Sequence, residues 1–120
     1  KLIIVKRILN DAVAFDDRRG MAIESVVSGG CIVWGNVHRS VLFSSVRVHS
    51  YSVVSWSVLL PGVQVGRGAR LTRVVVDRGC HIPDGMVIGE DPVSDADRFD
   101  RTDSGITLVT REMLTKLEAR

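Results

Sequence analysis

Through the middle of the chain, apolar residues return neither at the 3.6-residue spacing of a helix face nor in strict alternation, but every six residues. Val53, Leu59, Val65 and Leu71 are each six apart, Val76, Ile82 and Ile88 repeat the interval, and Leu42 and Val48 form a further pair. The interval shortens to five between Val48 and Val53 and again between Leu71 and Val76, slips that a corner between strands can absorb. A hexad suits a short strand joined to the next by a tight bend. Three hexads, about 18 residues, close one triangular coil whose strands pair in parallel with those of the coils above and below. The segment from Ala22 to Gly89 then supplies nearly four coils, with the recurring Val, Leu and Ile pointing inward. Gly62, Gly66, Gly68, Gly79 and Gly85 fall where the bends need unusual dihedrals or close backbone approach. The predicted class is all-β, a parallel β-helix. A β-sandwich of Val-rich strands is the competing architecture, but it requires period-two alternation and turn clusters every 8 to 12 residues, and the hexads fit that less well.

The flanks differ in composition. After Gly89 the acidic stretch EDPVSDADRFDRTDSG reads as a loop or short helical turn that covers the end of the solenoid. Val109, Met113 and Leu117 are spaced by four, so TREMLTKLEA predicts a short amphipathic helix with Thr110 as its N-cap. The chain therefore divides into an N-terminal linker or junction over 1–21, a β-helix over 22–89, and a capping loop with a C-terminal helix over 90–120.

Length and charge narrow the function classes. At 120 residues the chain fits one domain with a real core. Sixteen Lys and Arg against 14 Asp and Glu leave a net charge of +2, well short of the basic footprint of a nucleic-acid binder. Apolar residues make up 45% of the chain, but no run approaches the roughly 18 needed to span a bilayer, and no membrane partner is expected. KLIIVKRIL carries basic and apolar residues without the small-residue cleavage site of a secretory signal, which favours the cytoplasm. Because the chain begins at Lys1, a piece of a longer polypeptide is one expectation. Cys31 and Cys80 do not make a disulfide framework and are expected as reduced, buried thiols.

Few residues suggest chemistry on their own. There is no GxxxxGK[ST] and no GxGxxG between strand and helix to cradle a nucleotide. His38, His49 and His81 have no zinc-ligand spacing. His81 or His49 as the general base of a hexapeptide-repeat acyltransferase is the alternative from a different class, and a purely structural solenoid is a third reading. Asp16-Asp17 and Asp91, Asp95, Asp97, Asp100 and Asp103 read as solvated loop residues. Arg18-Arg19 opens the repeat region, and Arg78 and Arg111 lie near its far end. An arginine fork suits phosphate oxygens, though pairing with the abundant aspartates or with another domain competes.

The segments DDRRGMAIESVVSGGCIV, RSVLFSSVRVHSYS, VLLPGVQVGRGARL, VVDRGCHIPDGMVIGEDP and GITLVTREMLTKL, in that order, closely resemble the C-terminal part of bacterial ADP-glucose pyrophosphorylases (glucose-1-phosphate adenylyltransferases). The likeness runs from about Phe15 to Leu117. It implies a left-handed parallel β-helix of hexapeptide repeats with a short C-terminal α-helix, following a larger nucleotidyltransferase domain. The parent enzyme makes ADP-glucose and pyrophosphate from ATP and glucose 1-phosphate for glycogen synthesis. The resemblance further implies a cytoplasmic, Mg-dependent homotetramer, in which the solenoid helps oligomerisation and borders the cleft for sugar-phosphate activators and the inhibitor AMP. It makes Arg78 in VVDRGC and Arg111 in VTREML an allosteric anion-binding pair. A further basic position after TREML is Thr115 here, with Lys116 as a possible auxiliary. It assigns no catalytic residue, metal ligand or cofactor to this chain, because the ATP loop, metal-binding aspartates and sugar-phosphate lysine belong to the other domain; the chain alone is expected to be inactive. Residues 1–14 do not resemble the family.

Overall fold

A computed structural model describes residues 14–15 and 21–118. Of the N-terminal linker over 1–21 only Ala14, Phe15 and Met21 are among the described residues; the KLIIVKRIL run, Asp16-Asp17 and Arg18-Arg19 lie outside them. Followed along the chain, short strands climb rung by rung. The first rung holds β1 (Ala14–Phe15), β2 (Met21–Ile23) and β3 (Val26–Val27), and the second β4 (Ile32–Val33), β5 (Asn36–His38) and β6 (Val41–Leu42). The third holds β7 (Arg47–Val48), β8 (Val53–Ser55) and β9 (Val58–Leu59), and the fourth β10 (Gln64–Val65), β11 (Arg70–Thr72) and β12 (Val74–Val76). The fifth begins with β13 (His81–Ile82) and β14 (Val87–Ile88), then breaks for a helix, α1 (Pro92–Arg98), and a strand, β15 (Asp100–Arg101). It closes with β16 (Thr107–Val109), which leads into a second helix, α2 (Arg111–Glu118).

These strands stack into three parallel sheets that form the sides of a solenoid: sheet I from β1, β4, β7, β10 and β13, sheet II from β2, β5, β8, β11 and β14, and sheet III from β3, β6, β9, β12 and β16. In sheet III, β15 pairs antiparallel with β16 and closes the upper edge. Inward residues from all three sheets meet along one axis. Val33, Val48, Val65 and Ile82 come from sheet I, Val37, Val54, Leu71 and Ile88 from sheet II, and Val27, Leu42, Leu59, Val76 and Val109 from sheet III, all fully buried. Such a column is one continuous core, so each rung is stable only against its neighbours.

The register corrects one expectation. Val53 faces outward and is half-buried, whereas its neighbour Val54 is fully buried in the core. The inward series is thus Val48, Val54, Leu59, Val65, Leu71, Val76, with the five-residue steps at Val54–Leu59 and Leu71–Val76. Val37–Leu42 is a third such step. All three lie at the corner between sheets II and III, where Arg39, Trp56 and Arg73 adopt φ of 45°, 54° and 54° and turn the chain one residue sooner. Paired residues are 17 apart between the third and fourth rungs, as in Gln64 with Arg47 and Val75 with Val58. The spacing falls to 15 lower down, as in Val41 with Val26. The shortcut depends on Gly35, whose missing side chain leaves room for the carbonyls of His49 and Ser52, each 2.7 Å from where a Cβ would sit.

A ladder of buried serines ties successive rungs together. The Ser25 hydroxyl accepts from the Ser40 amide at 3.1 Å, that of Ser40 from the Ser57 amide at 3.0 Å, and that of Ser57 from the Val74 amide at 3.1 Å. The acidic stretch forms the cap. Asp91 caps α1 by accepting from the amides of Val93 and Ser94, with Pro92 at the first helical position. Buried Asp95 accepts from the Gly89 amide at 2.9 Å, and Arg98 donates to the Val87 carbonyl at 2.8 Å, so α1 is fastened to the end of β14. The strand ladder resumes beyond Gly89, because β16 pairs with β12 along its whole length and supplies the third side of the last rung.

Candidate functional site

The upper end of sheet I carries the residues singled out for anion binding. After β12 the chain turns at Asp77–Gly79, where Gly79 takes φ of 69° and its amide donates to the Pro61 carbonyl at 3.0 Å. Asp77 spends a carboxylate oxygen on the backbone amide of Arg78, at 2.8 Å, which fixes the bend and leaves the Arg78 guanidinium exposed. The helix α2 then returns over this corner. Thr110 accepts from the Met113 amide at 3.3 Å as the expected N-cap, and buried Leu114 sets the helix on the solenoid end. Helical spacing turns Arg111, Leu114, Thr115 and Glu118 to one side, where with Gly79, Cys80 and His81 they line a depression of roughly 200 Å³.

Arg111 therefore lies against the bend that presents Arg78: its Nη1 is 4.0 Å from where a Cβ of Gly79 would sit. Among the described residues neither arginine makes an ion pair. The competing assignment, pairing with nearby aspartates, is not met there. Both guanidiniums are exposed, and the free amides at the first turn of α2 add to the positive field. Lys116 is placed elsewhere. It lines a second hollow with Asp97, Arg98, Phe99 and Asp100, on the side of α2 that meets α1. Thr115 lines the Arg111 depression and donates its hydroxyl to the Arg111 carbonyl at 2.9 Å. Glu118 in the same depression was not singled out from sequence, although its i,i+7 spacing from Arg111 is the signal that places it there.

The remaining titratable groups are dispersed. Cys80 is buried beneath Arg111, and its thiol pKa is raised above the ordinary value by burial and by the charge of Asp77, against a lowering from Arg111. Burial likewise raises the Cys31 thiol, whose Sγ donates to the Phe43 carbonyl. Both cysteines are free. They cap one interior column with Val46 and Val63 between them, so three strand spacings, about 14 Å, separate them. His49 stacks on Trp34 at 5.5 Å on sheet I, two rungs below His81, while His38 lies on sheet II. Among the described residues no three His, Cys, Asp or Glu side chains converge as metal ligands, and no helix is long and apolar enough to cross a membrane.

A family model described as GlmU-like, C-terminal hexapeptide matches residues 10–109. Similar curated proteins are glucose-1-phosphate adenylyltransferases. That of Nitrosospira multiformis is 61% identical over 100 residues, 82% of this chain. That of Paramagnetospirillum magneticum is 59% identical over 105 residues, 87% of this chain, and that of Rhodopseudomonas palustris 57% identical over 103 residues, 85% of this chain. In each case the match covers only 24% of the relative, so the chain spans about a quarter of the length of the enzymes it resembles. With its stacked parallel strands and six-residue inward repeat, the chain belongs to the GlmU-like C-terminal hexapeptide family.

Proposed function

We propose that this chain is the oligomerising and regulator-binding solenoid of a cytoplasmic glucose-1-phosphate adenylyltransferase, which joins ATP and glucose 1-phosphate into ADP-glucose and pyrophosphate for glycogen synthesis. The observation that carries the reading is the high identity to enzymes of that name over one contiguous quarter of their length. ATP, Mg and glucose 1-phosphate are then handled by the nucleotidyltransferase domain that occupies the remainder, and the 120-residue chain alone has no turnover. Within a homotetramer, Arg78 and Arg111 grip the phosphate of a sugar-phosphate activator or of AMP. This is supported by two exposed arginines that make no ion pair among the described residues, Arg78 next to Gly79 in the chain and Arg111 with its Nη1 4.0 Å from where a Cβ of Gly79 would sit.

Domain replacement tests the reading. This chain is exchanged for the matching quarter of the Nitrosospira multiformis enzyme, and ADP-glucose formation is measured with and without a sugar-phosphate activator. An active, activator-responsive enzyme is expected. A soluble, folded chimera that forms ADP-glucose but ignores every activator of the parent would refute the regulatory role.

A further inference from the structure

Sheet I ends at β13, and its ladder shows what is left at that upper edge. Within the sheet, amides of one rung donate to carbonyls of the next: Ile32 to Val46 at 3.0 Å, Arg47 to Val63 at 3.0 Å and Gln64 to Cys80 at 2.9 Å. A second series runs beside it, from Trp34 to Val48 at 2.8 Å, His49 to Val65 at 3.0 Å and Gly66 to Ile82 at 2.9 Å. The donors that would continue the two series belong to His81 and Pro83. Proline has no amide hydrogen, so the second series closes without an orphan. The His81 amide does continue the first: it points up off the sheet and has no partner among the described residues.

That edge is one wall of the depression under α2, whose other wall carries Arg111, Thr115 and Glu118. The His81 side chain is exposed on the outward face of the same strand, in register above Gln64 and Arg47. Among the described residues the side chains of His81, Arg111 and Glu118 make no hydrogen bond or ion pair, so their charges are free to act on a ligand. While the imidazole is neutral, Arg111 and Glu118 offset each other, and a proton on His81 makes the depression cationic. The surrounding groups do not mimic this change. Burial keeps the Cys80 thiol protonated, Asp77 is bonded to the Arg78 amide, Arg78 and Arg47 carry fixed charge, Gln64 is neutral, and Lys116 lines the other side of α2. We infer that His81 is a proton-gated member of the anion site: its main-chain amide bonds the anion at any pH, and its imidazole adds a charged donor only when protonated, so that a regulator's phosphate is held more tightly as pH falls from about 8 to about 6. The inference rests on the regulator-binding role proposed above and adds a proton as the regulator's co-ligand.

Sulfate is the probe, because it stays a dianion over this range, whereas a phosphate monoester itself gains a proton near about pH 6. It is titrated into the isotope-labelled 120-residue chain at pH 6 and at pH 8, at constant ionic strength, and followed by amide NMR. The His81 amide resonance should move most at both pH values, with Kd about three- to tenfold lower at pH 6, the return from one exposed charge-assisted contact. His81→Asn should keep the Kd of pH 8 and lose the difference between the two conditions. Arg111→Gln should weaken binding at both while sparing their ratio. A dispersed amide spectrum establishes that each variant is folded. A His81 amide that sulfate does not move overturns the main-chain donor, and a pH ratio that survives in His81→Asn overturns the gate. Shifts spread over exposed arginines without saturation overturn the inference as a whole. None of these readouts depends on catalysis, so if sulfate binds in this way while the chimera ignores every activator, the regulatory reading fails and the proton-gated anion site remains.

Discussion

Adjacent valines on β8 give the sharpest test of how the chain is wound. Val54 is fully buried between Val37 below and Leu71 above, whereas Val53 faces outward between Asn36 and Arg70. In Val54→Asp a carboxylate enters an apolar column with no donor in reach. The penalty for an unpaired buried charge is several kcal/mol, a large part of the 5 to 15 kcal/mol that holds a domain of this size together. The rungs above and below cannot form a core without that side of the coil, so the loss should be global. In Val53→Asp the same side chain points into solvent beside Arg70. Lost strand propensity costs up to about 1 kcal/mol, and the cross-strand opposite charge returns roughly 0.2 to 1 kcal/mol. Urea unfolding followed by far-UV circular dichroism should therefore find Val53→Asp within about 1 kcal/mol of the parent and Val54→Asp unfolded without denaturant. If Val53→Asp is the more damaging of the two, the strand is wound one residue out of the register described here and the argument fails.

Two further outcomes concern single corners and the thiols. At Gly66 a Cβ would sit 2.6 Å from the amide and carboxylate of Asp84 and from the Ile82 carbonyl, so Gly66→Ala should cost about 2 to 3 kcal/mol. Gly68→Ala meets open space and carries only the left-handed strain of φ 72°, about 1 to 2 kcal/mol; thermal melting that ranks them the other way would contradict the packing. Burial raises the pKa of both thiols, so the folded chain holds those protons more tightly than the unfolded one. Their contribution to stability is complete below the unfolded thiol pKa of about 8.5 and declines as pH rises above it. The urea midpoint should fall between pH 7 and pH 9.5, and fall less in Cys80→Ala; an equal fall in that variant would show that Cys80 is not a source.

The hexad made the solenoid legible because a coil built from three short strands must return an apolar residue to the axis once per side, and no helix or sandwich produces that interval. What the spacing left open was the corner at which each shortened step falls. Val53 and Val54 are both valines, so hydrophobicity alone does not separate them; the choice is made by Arg39, Trp56 and Arg73 turning in the left-handed region, a conformation those residue types do not advertise. The last strand was hidden for a different reason. Thr107–Val109 is separated from its fifth-rung partners by α1 and β15, and a repeat interrupted by a cap no longer reads as a repeat. At the candidate site, the resemblance pointed to Arg78 and Arg111; the fold sets Arg111 of α2 against the Gly79 bend that follows Arg78, and Arg78 itself is not among the residues lining the depression there. Lys116 differs because adjacent residues on a helix point about 100° apart: its neighbour Thr115 faces the depression, and Lys116 turns to α1.

The central proposal, that the end of this solenoid binds a regulator's phosphate, is tested most directly by Arg78→Ala in the active chimera that carries this chain, read as the half-saturating activator concentration beside the unactivated rate. One charge-assisted contact to phosphate contributes on the order of 1.5 to 3 kcal/mol, so the half-saturating concentration should rise roughly tenfold to a hundredfold while the unactivated rate stays within about twofold. An activator response identical to that of the parent would contradict the account, and a collapse of the unactivated rate would make Arg78 a structural residue of the assembled enzyme instead.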